Sequence, residues 1–119
     1  TRLSRGLGDV YKRQDWDNGP TPVQLTLQMI GACSLADIQT GLKGRKIDRI
    51  WIELEAERKS TAPKVFTKIK MTYNVDAEAP KKLVKRLVEK SHETYCTVSN
   101  MFKSTVEITS NVVVNGEIC

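Results

Sequence analysis

Apolar and polar positions along the chain change period several times, and each change predicts an element. The run DNGPTP, residues 17–22, is a turn signal, because each proline pushes the residue before it out of the helical region. A helix is predicted from Thr21 to Leu42, with Pro22 in its first turn. On a wheel of ~100° per residue, Gln24, Gln28 and Gln39 share one narrow stripe, and almost everything else is apolar or small. Such a helix is expected to be buried on most sides. Cys33 falls opposite the glutamines, in a sector with Thr26, Met29, Ile30, Asp37 and Thr40, so its thiol should point into protein. Gly41 and Gly44 end the helix.

From Arg49 to Lys59 the pattern alternates: Ile50, Ile52, Leu54 and Ala56 face one way, and Trp51, Glu53, Glu55 and Glu57 the other. A second alternating run puts Val65, Thr67, Ile69, Met71, Tyr73 and Val75 on one face and Phe66, Lys68 and Lys70 on the opposite one. The two suit an antiparallel hairpin whose solvated face sets glutamates against lysines. Pro80 opens a second helix with Leu83, Val84, Leu87 and Val88 inward and Lys81, Lys82, Lys85 and Arg86 outward. His92, near its end, reads as a helix C-terminal cation or a surface residue. Val98, Met101 and Phe102 predict a short third helix beginning near Cys96, and Thr105–Val114, rich in Val, Ile and Thr, predicts a last strand. The order defines an α+β domain with a long buried helix against an antiparallel sheet. Three strands leave too little sheet to cover that helix, so further chain or a second subunit is expected.

Composition narrows the functional classes. The 119 residues suffice for one domain with a modest core. The longest apolar or small run, the eight residues Met29–Ala36, is far short of the ~18–20 that a membrane span needs. Residues 1–14, TRLSRGLGDVYKRQ, lack the apolar core of a secretion signal and predict no element. They resemble read-through of sequencing-adapter DNA, and are expected to be a non-native leader to a domain spanning 15–119. That leader carries +3 of the formal net charge of +5, leaving +2 for the remainder. A basic total would otherwise invite a nucleic-acid reading; with the excess in the leader, neither nucleic acid nor membrane is expected as a partner.

Cys33, Cys96 and Cys119 have none of the CxxC spacing of a zinc or thioredoxin site, and a single histidine builds no His-rich metal site. No secretion signal is present in the sequence, so a reducing, cytoplasmic compartment is expected, where a thiol is free, buried or catalytic. From periodicity Cys33 reads as packing, since free cysteine often behaves as a small hydrophobe. Cys96, at the start of the third helix, is expected to be the more acidic thiol, because unpaired N–H groups and the helix dipole favour a thiolate. Cys119 reads as a terminal thiol behind the turn-like NGE.

Two stretches, GPTPVQLTLQMIGACSLADI and EKSHETYCTVSNMFKSTVEI, together resemble the paired cysteine motifs of the OsmC/Ohr family, in its general OsmC-like subgroup. The similarity runs from about Asn18 to Val114 and takes in the hairpin and the basic helix between the motifs. The resemblance implies an OsmC-like fold assembled as an intertwined homodimer, lacking here its N-terminal strands. It implies a peroxiredoxin-like, thiol-dependent peroxidase acting on organic hydroperoxides, with no cofactor and no metal. Cys33 would be the peroxidatic thiol and Cys96 the resolving one, the disulfide being reduced by an external dithiol.

Two departures from the family pattern bear on that activity. The glutamate that follows the proline of the first motif in the peroxidase subgroup is Val23 here, with Gln24 next. The arginine that pairs with the reactive thiolate comes from sequence before the first motif, where this chain has only residues 1–14 and the turn that follows. Asp37, one turn past Cys33, would oppose a thiolate if it faced the sulfur, or would orient a partner group. The alternative to an enzyme is a non-enzymatic OsmC-fold dimer that binds a small apolar ligand or senses oxidation, and a third reading is a structural domain with inert cysteines.

Overall fold

The structure, a computed structural model, describes the backbone of Arg2–Gly6 and all of residues 21–119. Helix α1 spans Pro22–Gly41. A capping box starts it: Gln24 N–H donates to Thr21 Oγ1 at 3.2 Å, and Thr21 N–H donates to Gln24 Oε1 at 3.0 Å. Gln24, next to Val23, is therefore committed to the helix end. Leu27, Ile30, Leu35 and Ile38 of α1 are buried in the core.

Strands β2 (Ile47–Arg58) and β3 (Phe66–Ala77) form the expected antiparallel hairpin. Its inner face pairs Ile50 with Val75, Ile52 with Tyr73, and Leu54 with Met71, all buried, while Glu55 opposes Lys70 and Glu57 opposes Lys68 on the outer face. After β3 come helix α2 (Lys81–Lys90), a π-helical turn (Ser91–Tyr95), helix α3 (Thr97–Phe102) and strand β4 (Glu107–Val114). Asn115 and Gly116, both with positive φ, turn the chain into the short strand β5, Glu117–Ile118.

The sheet is mixed where an antiparallel one is expected. Among the described residues its order is β1 (Arg2–Gly6), β2, β3, β4, β5, and β4 runs parallel to β3. The reason is the connection: α2, the π turn and α3 carry the chain back across the sheet, so the next strand enters in the same direction as the last. β1, Arg2–Gly6, lies antiparallel to β2 where the sequence pattern predicts no element. Strand pairing is made through backbone N–H and C=O groups, which any extended segment carries, so it is indifferent to side-chain pattern. The rest of the expected leader, and the turn at 17–20, lie outside the described residues.

A second correction concerns the surface of α1. Its glutamine stripe is only in part the solvent face: Gln39 is exposed, but Gln24 and Gln28 are half-buried, and Gln28 Nε2 is buried with no hydrogen-bond partner among the described residues. The exposed face is apolar, formed by Leu25 (43% exposed), Met29 (51%), Ala32 and Ala36. These four recur at i, i+4, i+7 and i+11, one line along the helix. Cys33 borders it, half-buried.

Candidate functional site

Cys33 sits in the middle of α1, two residues beyond Gly31. At Gly31 the helix presses on β2 so closely that an added Cβ would lie 2.9 Å from Leu54 Cδ1 and 3.3 Å from Ile52 Cγ2. Cys96 comes from the other side of the crossover, as the N-cap of α3, and is completely buried. Its Sγ accepts the Ser99 N–H at 3.3 Å and lies within hydrogen-bonding reach of the Cys33 thiol. The π turn makes this meeting possible. Its closing bond, from Cys96 N–H to Ser91 O, skips five residues instead of four, so one extra residue is accommodated just before Cys96. Cys119, the third thiol, is exposed at the chain's end and takes no part.

The expected acidity of Cys96 is overturned. Burial, the largest influence, together with the hydrogen bond and charge of Cys33 and the charge of Asp37, pushes its thiol up to about 12, against the lowering effect of the Ser99 N–H. One real N–H at the head of a six-residue helix does not offset removal of the sulfur from water. Asp37 opposes a Cys96 thiolate by its charge and also orients a partner group, its Oδ2 accepting from Ser91 Oγ–H at 2.8 Å.

Behind the thiols runs a chain of polar side chains that the sequence pattern does not single out. Ser34 Oγ lies 2.9 Å from Ser91 Oγ and 2.6 Å from the Tyr73 hydroxyl. That hydroxyl lies 2.5 Å from His92 Nε2, and His92 Nδ1 lies 2.9 Å from Ser99 Oγ. Ser34, Ser91 and Ser99 are buried, and so is Tyr73, whose phenol is raised well above its ordinary range chiefly by burial. His92 is therefore not a surface cation. Burial lowers its pKa, with the Asp37 charge acting in the opposite sense, and holds the ring neutral.

Each hydroxyl has one hydrogen, which orders the whole chain. Ser91 gives its hydrogen to Asp37, so Ser34 must give its own to Ser91. Tyr73 must then donate to Ser34, and its oxygen accepts Nε2–H of His92. The Met71 sulfur, 3.8 Å from the phenol oxygen, is the weaker acceptor for that hydrogen. Nδ1 is left as the acceptor for Ser99 Oγ–H. A tyrosine on the buried face of a strand is the one signal in the sequence that could have led here, since a buried phenol needs a partner.

A mixed sheet cradling one long helix, with a thiol on that helix facing a second at the end of a crossover, defines a thiol-pair α+β protein. The chain belongs to the OsmC-like protein family, whose profile matches residues 15–111. It is similar to Protein YhfA of Escherichia coli (strain K12), 35% identical over an alignment of 96 residues, with 78% of this chain and 72% of that one covered. Among solved structures it resembles a hypothetical protein from Aquifex aeolicus VF5, with TM-score 0.78 and 29% identity, over 82% of this chain and 76% of the other. An organic hydroperoxide resistance protein OsmC from Legionella pneumophila shares the fold, with TM-score 0.59 and 17% identity over 94% and 96% of the two chains.

Proposed function

We propose that this protein is a thiol-dependent peroxidase that reduces organic hydroperoxides through Cys33 and Cys96. The observation that carries the reading is the meeting of two free thiols from separate elements. Their difference in exposure supports the roles proposed for them. Cys33 is half-exposed and can meet a peroxide, whereas Cys96 is sealed from solvent and reaches only what forms on Cys33. The Cys33 sulfur attacks the terminal peroxide oxygen, the O–O bond breaks, and the alkoxide leaves and takes up a proton as the alcohol. Cys96 then attacks the resulting sulfenic sulfur, forming the disulfide and releasing water, and an external dithiol restores both thiols.

The apolar line Leu25, Met29, Ala32 and Ala36 supports a homodimer, with Cys33 at the margin of the joint surface. No helix among the described residues is long and apolar enough to cross a membrane, and three free thiols suit a reducing compartment, the cytoplasm. The test is treatment with one equivalent of an organic hydroperoxide, followed by mass spectrometry of the thiols. A Cys33–Cys96 disulfide is expected, and unchanged thiols at both positions would sink the proposal.

One observation favours the non-enzymatic reading. A cleft of about 670 Å³ opens at the amino end of α1, lined by Val23, Thr26, Phe66 and Phe102 with Arg58 and Lys64 at the same site. Val23 stands there, at the position where the peroxidase subgroup of the family has its glutamate. A small apolar ligand would fit that lining, and saturable binding without thiol oxidation would mark the alternative.

A further inference from the structure

The side chains behind the thiols form an unbroken path across four elements. Ser34 and Asp37 belong to α1, Tyr73 to β3, Ser91 and His92 to the π turn, and Ser99 to α3. Every link is between 2.5 and 2.9 Å. Packing alone does not call for it, because a row of hydroxyls in an apolar core is costly unless every one is satisfied, and alanine or phenylalanine would fill the same space. All hydrogens point one way, from Ser99 to Asp37. Ser99 also binds the resolving sulfur through its N–H.

We propose that Ser99, His92, Tyr73, Ser34, Ser91 and Asp37 are a proton relay that takes up the Cys96 thiol proton as the disulfide closes and stores it on Asp37. The proposal rests on reading Cys33 and Cys96 as a redox couple, and is indifferent to the oxidant. When Cys96 attacks the Cys33 sulfur, the S–S bond forms and the bond from Cys33 to its leaving group breaks, that group departing with the electron pair. Ser99, whose N–H the Cys96 sulfur accepts, takes the thiol proton onto Oγ and gives its own to His92 Nδ1. Nε2–H moves to Tyr73, and each hydroxyl hands on one proton until Asp37 Oδ2 receives the last. His92 ends as the Nδ1–H tautomer and Asp37 as the neutral acid, with every hydrogen bond kept and its direction reversed. When the leaving group is hydroxide, the stored proton balances it as water.

A relay is needed because the resolving thiol holds its proton firmly at neutral pH. The titratable groups facing His92 and Tyr73 are Asp37 and Cys33 from α1 and Cys96 from the head of α3. Of these the carboxylate is the one at the end of the path.

The test needs no peroxide. In the full chain carrying Cys119→Ser, dithionitrobenzoate forms a mixed disulfide on Cys33, and closure by Cys96 then releases a second coloured thiolate. That thiolate departs without taking up a proton, so the Cys96 proton must go elsewhere. Closure at neutral pH is expected to slow about 100-fold in Tyr73→Phe and His92→Gln, the scale of one acid–base contribution. The deficit should shrink as the pH is raised toward the thiol's own range. Ser34→Ala breaks the path on another element and carries the test if Tyr73→Phe does not fold. Wild-type closure rates in folded variants, or an equal loss at every pH, would overturn the relay. Failure of the peroxidase reading would appear separately, as thiols untouched by hydroperoxide while this closure remains measurable.

Discussion

Cys96 and His92 titrate in opposite directions for one reason: both have lost water, and each is held in its neutral form. For His92 the folded pKa lies below the ordinary value of 6.5, so its contribution to stability is full above that pH. As the pH falls through that window the unfolded chain binds a proton that the folded chain resists, and stability drops. Urea midpoints should therefore decline between about pH 7 and pH 5, and His92→Gln should flatten that limb. For Cys96 the folded value rises from 9.0 to about 12, so its contribution is full below pH 9 and is lost as the pH rises to 12. The raised Tyr73 phenol adds to the loss in the same sense. Cys96→Ser should leave Cys33 trapped as sulfenic acid after peroxide, detectable by a dimedone adduct, and Cys33→Ser should abolish oxidation of Cys96. The pairing of the two cysteines was legible only through the resemblance of their motifs to a known family, since periodicity alone reads Cys33 as packing. Tyr73, Ser34 and His92 were not, since their partnership depends on four elements meeting and no spacing along the chain records it.

At the level of elements, Gly31 shows how packing overrides propensity. Alanine is favoured over glycine inside a helix by about 1 kcal/mol. Here its Cβ would press on Leu54 and Ile52, both fully or almost fully buried and unable to swing aside. Overpacking of that kind costs about 1–3 kcal/mol. Gly31→Ala should therefore destabilise the protein by about 1 kcal/mol net, read as a lower urea midpoint. It should also slow disulfide closure, because Cys33 rides on the displaced helix. Periodicity located α1, the hairpin and α2 well, each with a long repeating pattern. It did not reveal that β4 is parallel, because strand direction depends on the route of the crossover and not on the residues of the strand. The exposed line on α1 was also misread: four apolar residues in a row look like core until the single chain is seen to leave them uncovered.

For the whole molecule, that line sets the expected assembly. Leu25→Glu with Met29→Glu should convert a dimer to a monomer in light scattering while the fold, watched by circular dichroism, persists. Both side chains are already half-exposed in the isolated chain, so charge there does not invade the core. If the joint surface also shields Cys33, the monomer should react faster with bulky thiol reagents and close its disulfide at an unchanged rate.

The extra residue in the turn Ser91–Tyr95 makes the pairing of the thiols a question of helical phase. Deleting one residue there would let α-type hydrogen bonds continue and would rotate all that follows by about 100°. Cys96 would keep its place in the sequence motif and lose sight of Cys33. In sorting related sequences for a working couple, the length of the segment before the second cysteine should then count for as much as the presence of both.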